Sequence, residues 1–415
     1  MKLVIIDRNI RKYVRNNQIF NILESLKTKV ELEDLWILVE FGKEFEYQKK
    51  PFEFNYKYFK DYKTDNLLEI LDIEKPDAIL ISNDYDFFMR SFIPAAKFKK
   101  IPIILLLSIP TPVDYLEKMD FSMMQGKFTI LKNRGRFILN NFLFMLKTYR
   151  RTGSRISEII KIIITDLAAP FLYFYPSGEH DCDLVLVTGK DWKKKIERKK
   201  NTSEIKIIGY PTLDDIYRKV LQYKSKKKNT KSRGKIVLMS APMVEHGLWT
   251  QKQWEETIRQ IIITFQNQLS NEMDLVLKIH PATERKKKYV DLLQKIGCDF
   301  PIYQTEDLME ILNDADFVIT YSQTSGILDA AFLEKPVIVV NLFDYPLDKI
   351  PFLKEGLAYE LKEINKLKEF FSQIDTEIIK ENLRKYISNY LYKFDGKSSE
   401  RAADAILEFV KNYKK

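Results

Sequence analysis

Between Asp316 and Asn341 the chain reads DFVITYSQTSGILDAAFLEKPVIVVN, and the small polar residues in its middle have the types and spacing that suit chemistry. Asp316–Thr320 is a short apolar run, and Pro336–Val340 is a second one rich in β-branched residues. Ile327–Leu333 carries apolar residues at helical spacing, so the order is strand, polar turn, helix, strand. Thr324, Ser325 and Gly326 open that helix. They would present hydroxyls, and backbone N–H groups that no helical carbonyl satisfies, at a positive helix end. Such a place suits a phosphate. Asp329, one turn further on, could accept hydrogen bonds from ribose hydroxyls. An ordinary capped helix with a solvated aspartate has the same residues, and this stretch alone does not separate the two.

The elements that must position such a turn recur along the chain. Strand-like runs at 3–7, 35–41, 77–83 and 101–107 alternate with helical stretches at 10–26, 57–72 and 87–97. Further strands are expected at 183–189 and 205–211. A second series follows, with strands at 235–240 and 274–280, helices at 250–269, 285–296 and 306–313, and a short strand in PIYQ. The tail reads as helices at 365–373, 376–392 and 397–413. Apolar strands separated by helices predict parallel sheets covered on both faces. Ligands of such sheets sit outside the carboxyl ends of the strands, where Asp7, Asn83, Asp84 and Ser108 fall. The lysine-rich segment 222–235 reads as an exposed linker. The expected organisation is an N-terminal lobe over 1–221, that linker, a second lobe over 236–385, and helices over 386–415 as candidates to cross back to the first lobe.

Composition narrows the class. A chain of 415 residues calls for two or three domains, and 45% hydrophobic with 30% charged residues is globular. Two cysteines, Cys182 and Cys298, make no disulfide scaffold, and three histidines make no histidine-rich metal centre. The start MKLVIIDRN is too short in apolar residues for a signal peptide and reads as a first strand. The net charge of +10 points to anionic partners. Most of it lies between 121 and 175, where nine basic residues, Arg134, Arg136, Arg150 and Arg151 among them, face only Glu158 and Asp166. This part of the insertion 109–180 interleaves its cations with large apolar residues over two helical stretches, 135–149 and 154–175. That composition suits a helix in the headgroup region of an anionic bilayer. It also suits a helical subdomain packed on the sheet with solvated cations. Nucleic acid is disfavoured, because the face beside the charge is so aliphatic.

Four segments carry a family resemblance: IIGYPTLD (207–214), LKIHPATE (277–284), ITYSQTSGILDAAFLEKPVIVV (319–340) and DGKSSERAADAI (395–406). In this order they resemble the GT-B superfamily of nucleotide-sugar enzymes. The similar group contains teichoic-acid polyol-phosphate transferases, capsule glycosyltransferases and UDP-N-acetylglucosamine 2-epimerases. The resemblance implies an α/β, GT-B-like fold of two doubly wound Rossmann-like lobes, here with a helical basic insertion in the first. It implies that His280 and Pro281 approach the donor phosphates, that Thr324 and Ser325 contact the pyrophosphate, and that Asp329 lies near the ribose. Gly209 and Pro211 would line the cleft from the lobe junction, and Ser240 would close the first strand of the nucleotide lobe.

The departures from that family matter as much. Polyol-phosphate transferases place a His-Gly base after a strand of the first lobe, whereas this chain reads LLLSIPTP at 105–112. The catalytic residue is therefore unassigned, with Asp7, Asp84, Asp86, Glu179 and His180 as candidates at strand ends and His246 in the loop MVEHGLW. The turn QTSG is poorer in acid and glycine than an epimerase turn. The aspartate pairs of DYD (84–86) and DCD (181–183) sit at a strand end and a strand entry, and no metal is expected there. No glycine follows the first strand in IIDRNIRKY, so a nicotinamide cofactor is not expected, and neither is any other cofactor. The expected function is sugar transfer from a nucleotide-activated donor to a surface-glycan or lipid-linked acceptor, by a cytoplasmic protein peripheral to the inner membrane face. The alternatives are CDP-polyol phosphotransfer, suggested by DGKSSER, epimerisation of a UDP-sugar, and a non-catalytic nucleotide-binding relative.

Overall fold

The computed structural model describes residues 1–7, 18–38, 54–84, 87–114, 127–168, 181–198, 202–225, 233–245, 247–281, 283–322, 324–343 and 351–413. They form two compact units, one of residues up to Asp214 together with Asn389 onward, the other Asp215–Ser388.

The N-terminal unit is built on a seven-stranded, wholly parallel sheet. Its strands are β1 (Lys2–Asp7), β2 (Glu33–Leu38), β3 (Tyr56–Tyr58), β4 (Ala78–Ile81), β5 (Ile103–Leu107), β6 (Leu184–Val187) and β7 (Glu204–Ile207). The order is β3-β2-β1-β4-β5-β6-β7, so the winding reverses between β1 and β4. Alternate side chains of each strand enter opposite cores, which is why the strands read as unbroken apolar runs. Val4, Ile6, Ile79 and Leu105 pack with Phe88, Met145, Tyr149, Ile159 and Ile162. Leu3, Ile5, Leu80 and Ile104 pack with Ile19, Leu23, Ala402 and Ile406. The first face is covered by the helices Leu67–Glu74 and Phe87–Lys99, on which the basic insertion packs, and the second by Gln18–Lys27 and the C-terminal helix Ser398–Tyr413.

The C-terminal unit carries β8 (Gly234–Met239), β9 (Met273–Lys278), β10 (Ile302–Tyr303), β11 (Phe317–Thr320), β12 (Val337–Val340) and β13 (Tyr359–Leu361). Their order, β10-β9-β8-β11-β12-β13, is again parallel throughout and reverses between β8 and β11. Two doubly wound α/β units are therefore present, as the alternation of strands and helices predicts.

Local departures have local causes. Residues 57–72 read as helix, but Tyr56–Tyr58 is a strand paired with β2, followed by a 3₁₀ turn at Phe59–Asp61. Phe54, Tyr56 and Tyr58 pack ring against ring, tilted and edge-to-face, and this aromatic packing outweighs the helical spacing. The helix starts only at Leu67, where the Asn66 side chain accepts the Glu69 N–H. The tail helix read over 376–392 is α-helical only to Tyr386 and continues as a π turn at Ile387–Leu391. Helix Leu213–Ser225 takes up the first four residues of the stretch read as linker, and β8 its last two.

Candidate active site

In an open α/β sheet the place where the winding reverses leaves a crevice outside the strand ends. In the C-terminal unit that place lies between the ends of β8 and β11, and the residues singled out by the sequence gather there. Ser240 follows β8 directly, His280 lies just past β9, and Thr324–Gly326 follow β11. These are three neighbouring strands, so their ends are spread over about 10 Å, two strand spacings.

Behind this edge is a buried polar cluster. The Glu284 carboxylate accepts the Ser240 hydroxyl, the His280 backbone N–H (2.8 Å) and the Tyr289 hydroxyl (2.6 Å). Tyr289 also takes the Trp254 indole N–H (3.3 Å) and contacts Tyr321, whose hydroxyl bridges both backbone groups of Ala241. Burial pushes both phenols well above their ordinary values, with the Glu284 charge adding to it, so they stay protonated and able to donate. Three donors on one buried carboxylate lock the end of β8 to the end of β9. Ser240 is consequently turned inward and serves this lock.

The lock fixes the backbone of His280, and Thr283 fixes its ring. Nδ1 accepts the Thr283 backbone N–H at 3.2 Å and lies 2.9 Å from the Thr283 hydroxyl. An Nδ1 that accepts carries no proton, so the neutral ring bears its hydrogen on Nε2. Pro281 is exposed beside it.

Across the edge, Gly326 begins the helix Gly326–Phe332. A Cβ at this glycine would lie 2.3 Å from Met239 Sδ and 3.3 Å from Leu308 Cδ2, so its absence lets the turn settle on the last residue of β8. The Thr324 hydroxyl accepts the Gly326 N–H at 3.3 Å. Ser325 is exposed and makes no side-chain capping bond. The helix has only seven residues, so its dipole is small. The turn offers individual hydroxyl and N–H donors instead.

Asp329 sits half-buried on this short helix. Desolvation pushes its carboxyl up to about 7, the Asp307 charge adds to the rise, and Lys219 opposes it. Lys219 is itself paired with Asp307, which caps the helix Leu308–Asn313. Two features of this edge were not singled out from the sequence. One is Glu284, visible only as the last letter of HPATE. The other is Lys278, a buried lysine whose ammonium donates to the Gln304 carbonyl at 2.6 Å and is held below its ordinary value by desolvation.

The other candidates divide. Asp7 closes β1, and Asp84 is wholly buried, which leaves no surface for an acceptor to meet. Asp86, Glu179, His180 and His246 lie outside the described residues. Gly209 and Pro211 have roles inside the N-terminal unit. Gly209 adopts φ +88°, and a Cβ there would meet Ser398 Oγ at 2.6 Å. The Pro211 carbonyl accepts Asn21 at 3.2 Å. The Asp214 carboxylate takes the Ser398 and Ser399 N–H groups at 2.9 and 2.7 Å, and Arg401 binds the Ile208 carbonyl and Asp395. The segments IIGYPTLD and DGKSSER thus fasten the last helix to the first sheet, a folding role that does not depend on the donor.

Of the basic set, Arg134 is largely buried in an ion pair with Asp166 at 2.6 Å and also donates to its carbonyl. Arg151 is paired with Glu69 at 2.7 Å, while Arg136 and Arg150 are exposed.

No family model and no curated protein sequence matches the chain. Solved structures do. UDP-GlcNAc 2-epimerase from Neisseria meningitidis, bound to UDP-GlcNAc, aligns over 98% of this chain and all of its own with a TM-score of 0.54 and 12% identity. Phytolacca americana UGT2, complexed with UDP-2fluoro-glucose and pterostilbene, aligns over 98% of this chain and 99% of its own, with a TM-score of 0.53 and 11% identity. The wall teichoic acid polymerase TagF aligns over the whole chain and 89% of its own, with a TM-score of 0.51 and 12% identity. The chain shares the GT-B α/β fold of these neighbours.

Proposed function

We propose that this protein is a transferase that takes a sugar from a nucleotide-activated donor and delivers it to a surface-glycan or lipid-linked acceptor at the cytoplasmic face of the membrane. The observation that carries the reading is the β8/β11 edge. There a ring-fixed histidine, His280, and a polar turn, Thr324–Gly326, in which Ser325 makes no capping bond, flank the point where the sheet reverses. The C-terminal unit holds the donor diphosphate with the His280 Nε2–H and the Ser325 hydroxyl and N–H. Asp329 accepts from the ribose. As the sugar leaves, negative charge grows on the diphosphate, and preorganised donors at that place lower the barrier. The fold of the neighbours supports this reading, and two of them are described with UDP-sugars bound.

A thermal-shift panel of UDP, CDP, UDP-sugars and CDP-glycerol tests it. A nucleotide at a hundred times its Kd adds about 2.7 kcal/mol, which raises the melting temperature of a unit this size by about 5 °C or more. The expected result is such a rise for one base with and without its sugar, lost in His280→Ala. Turnover of UDP-GlcNAc with no acceptor present would reassign the protein to epimerisation. A response confined to CDP-glycerol would make it a polyol phosphotransferase. No response to any nucleotide would remove the donor site.

A further inference from the structure

The insertion is a helical hairpin, Lys127–Arg151 and Ile156–Ala168, whose inner side belongs to the core of the N-terminal unit through Met145, Tyr149, Ile159 and Ile162. Its outer side is unusual for a soluble surface. Leu139 is 78% exposed, Leu143 71%, Ile156 54%, Ile160 52% and Ile164 61%. On the first helix, Lys132, Arg136, Leu139, Leu143 and Arg150 follow one another at offsets of four, three, four and seven residues, so they share one face. On the second helix, Ile156, Ile160 and Ile164 form a single line at i, i+4 spacing. Lys132, Arg136, Arg150, Arg155 and Lys161 are exposed and form no ion pair among the described residues, against one exposed acid on these helices, Glu158.

We infer that this outer face docks on an anionic bilayer, with the leucines and isoleucines entering the acyl boundary and the arginines and lysines reaching lipid phosphates. The charge selects the occupant, because cations without protein partners complement an anionic surface. The apolar residues are aliphatic, whereas the cores of protein interfaces favour aromatic residues and stacked bases need them. No helix among the described residues is long and apolar enough to cross a membrane, so the hairpin lies in the surface plane. Arg134, by contrast, is taken by Asp166, and Lys147 and Arg151 by Asp65 and Glu69, so these three belong to the scaffold. The inference gives the proposed membrane-side action its contact surface, and it stands whatever the donor is.

The test is co-sedimentation of the full chain with vesicles of phosphatidylglycerol mixed with phosphatidylcholine, and with phosphatidylcholine alone. The expected result is binding to the mixed vesicles and weak binding to the neutral ones. Arg136→Gln with Arg150→Gln should weaken it about 30-fold, from roughly 1 kcal/mol for each cation near the surface. Leu143→Ser with Ile160→Ser should lower it by about tenfold or more. Lys252→Gln with Arg259→Gln, exposed cations of the C-terminal unit, should leave it unchanged. The thermal response to nucleotide, measured on the same variants, separates this proposal from the donor site. Wild-type protein that ignores the mixed vesicles, or variants that bind as wild type does, would overturn the inference. So would a dimer in light scattering that Leu143→Ser with Ile160→Ser dissociates, since that would give the face to a second copy.

Discussion

Replacing Asp329 with asparagine should stabilise the protein above neutral pH while weakening nucleotide binding. In the folded chain this carboxyl is pushed up to about 7, chiefly by desolvation and then by Asp307. A move from the ordinary value near 4 corresponds to about 4 kcal/mol of preference for the neutral form. Because the side chain keeps some access to solvent, about half of that is expected in practice. The folded protein holds this proton more tightly than the unfolded chain does. The resulting stability is complete below about pH 4 and is lost as pH rises through 7. Asparagine keeps the neutral shape and removes the ionisation. Asp329→Asn should therefore match wild type at pH 4 to within about 0.5 kcal/mol and exceed it by about 2 kcal/mol at pH 8 in guanidinium unfolding. A ribose that donates to Asp329 favours the ionised form. Nucleotide binding near pH 6 should then release a proton, seen as a buffer-dependent enthalpy in calorimetry, and the variant should release none. A variant no more stable than wild type at pH 8, with unchanged proton release, would refute the reasoning.

Three further outcomes follow from the same geometry. Glu284→Leu removes the acceptor of the Ser240 hydroxyl and the shorter bonds of the His280 N–H and the Tyr289 hydroxyl, and should cost about 3 kcal/mol, the His280 N–H keeping Ser240 Oγ at 3.2 Å. Glu284→Gln, whose amide can face a Tyr289 hydroxyl turned to accept, should cost about 1–2 kcal/mol, both read from unfolding midpoints. Asp214→Ala removes the acceptor for two buried N–H groups at the start of Ser398–Tyr413 and should cost about 1–2 kcal/mol without changing nucleotide affinity in a binding titration. Arg134→Met strands the buried Asp166 carboxylate and should cost about 3 kcal/mol, most of it recovered in Arg134→Met with Asp166→Leu, as a double-mutant cycle would show.

The central strands were legible because they are buried on both faces, so β1, β4, β5, β6, β8, β9, β11 and β12 read as short apolar runs bounded by turns. Tyr56–Tyr58 escaped because a three-residue strand beside a helix offers too few positions for a period to show. The position of the switch-point turn was legible from QTSG, since small polar residues between an apolar run and a helical pattern mark a helix start. The lock behind it was not. Glu284 and Tyr289 are five residues apart around the start of a helix, and only the fold brings them against Ser240, 44 residues earlier in sequence than Glu284. The charge count picked out the basic insertion but could not separate Arg134, spent on Asp166, from Arg136 and Arg150, which face solvent. In DGKSSER the backbone N–H groups of both serines and the arginine side chain serve the capping and anchoring of the last helix.

The most direct measurement is a structure of the protein crystallised with UDP or CDP. The expected result is a diphosphate outside the ends of β8 and β11, within hydrogen-bond reach of Ser325 and of the His280 Nε2, with the ribose toward Asp329. A nucleotide seated only on the N-terminal unit, or a diphosphate that leaves both Ser325 and His280 untouched, would contradict it.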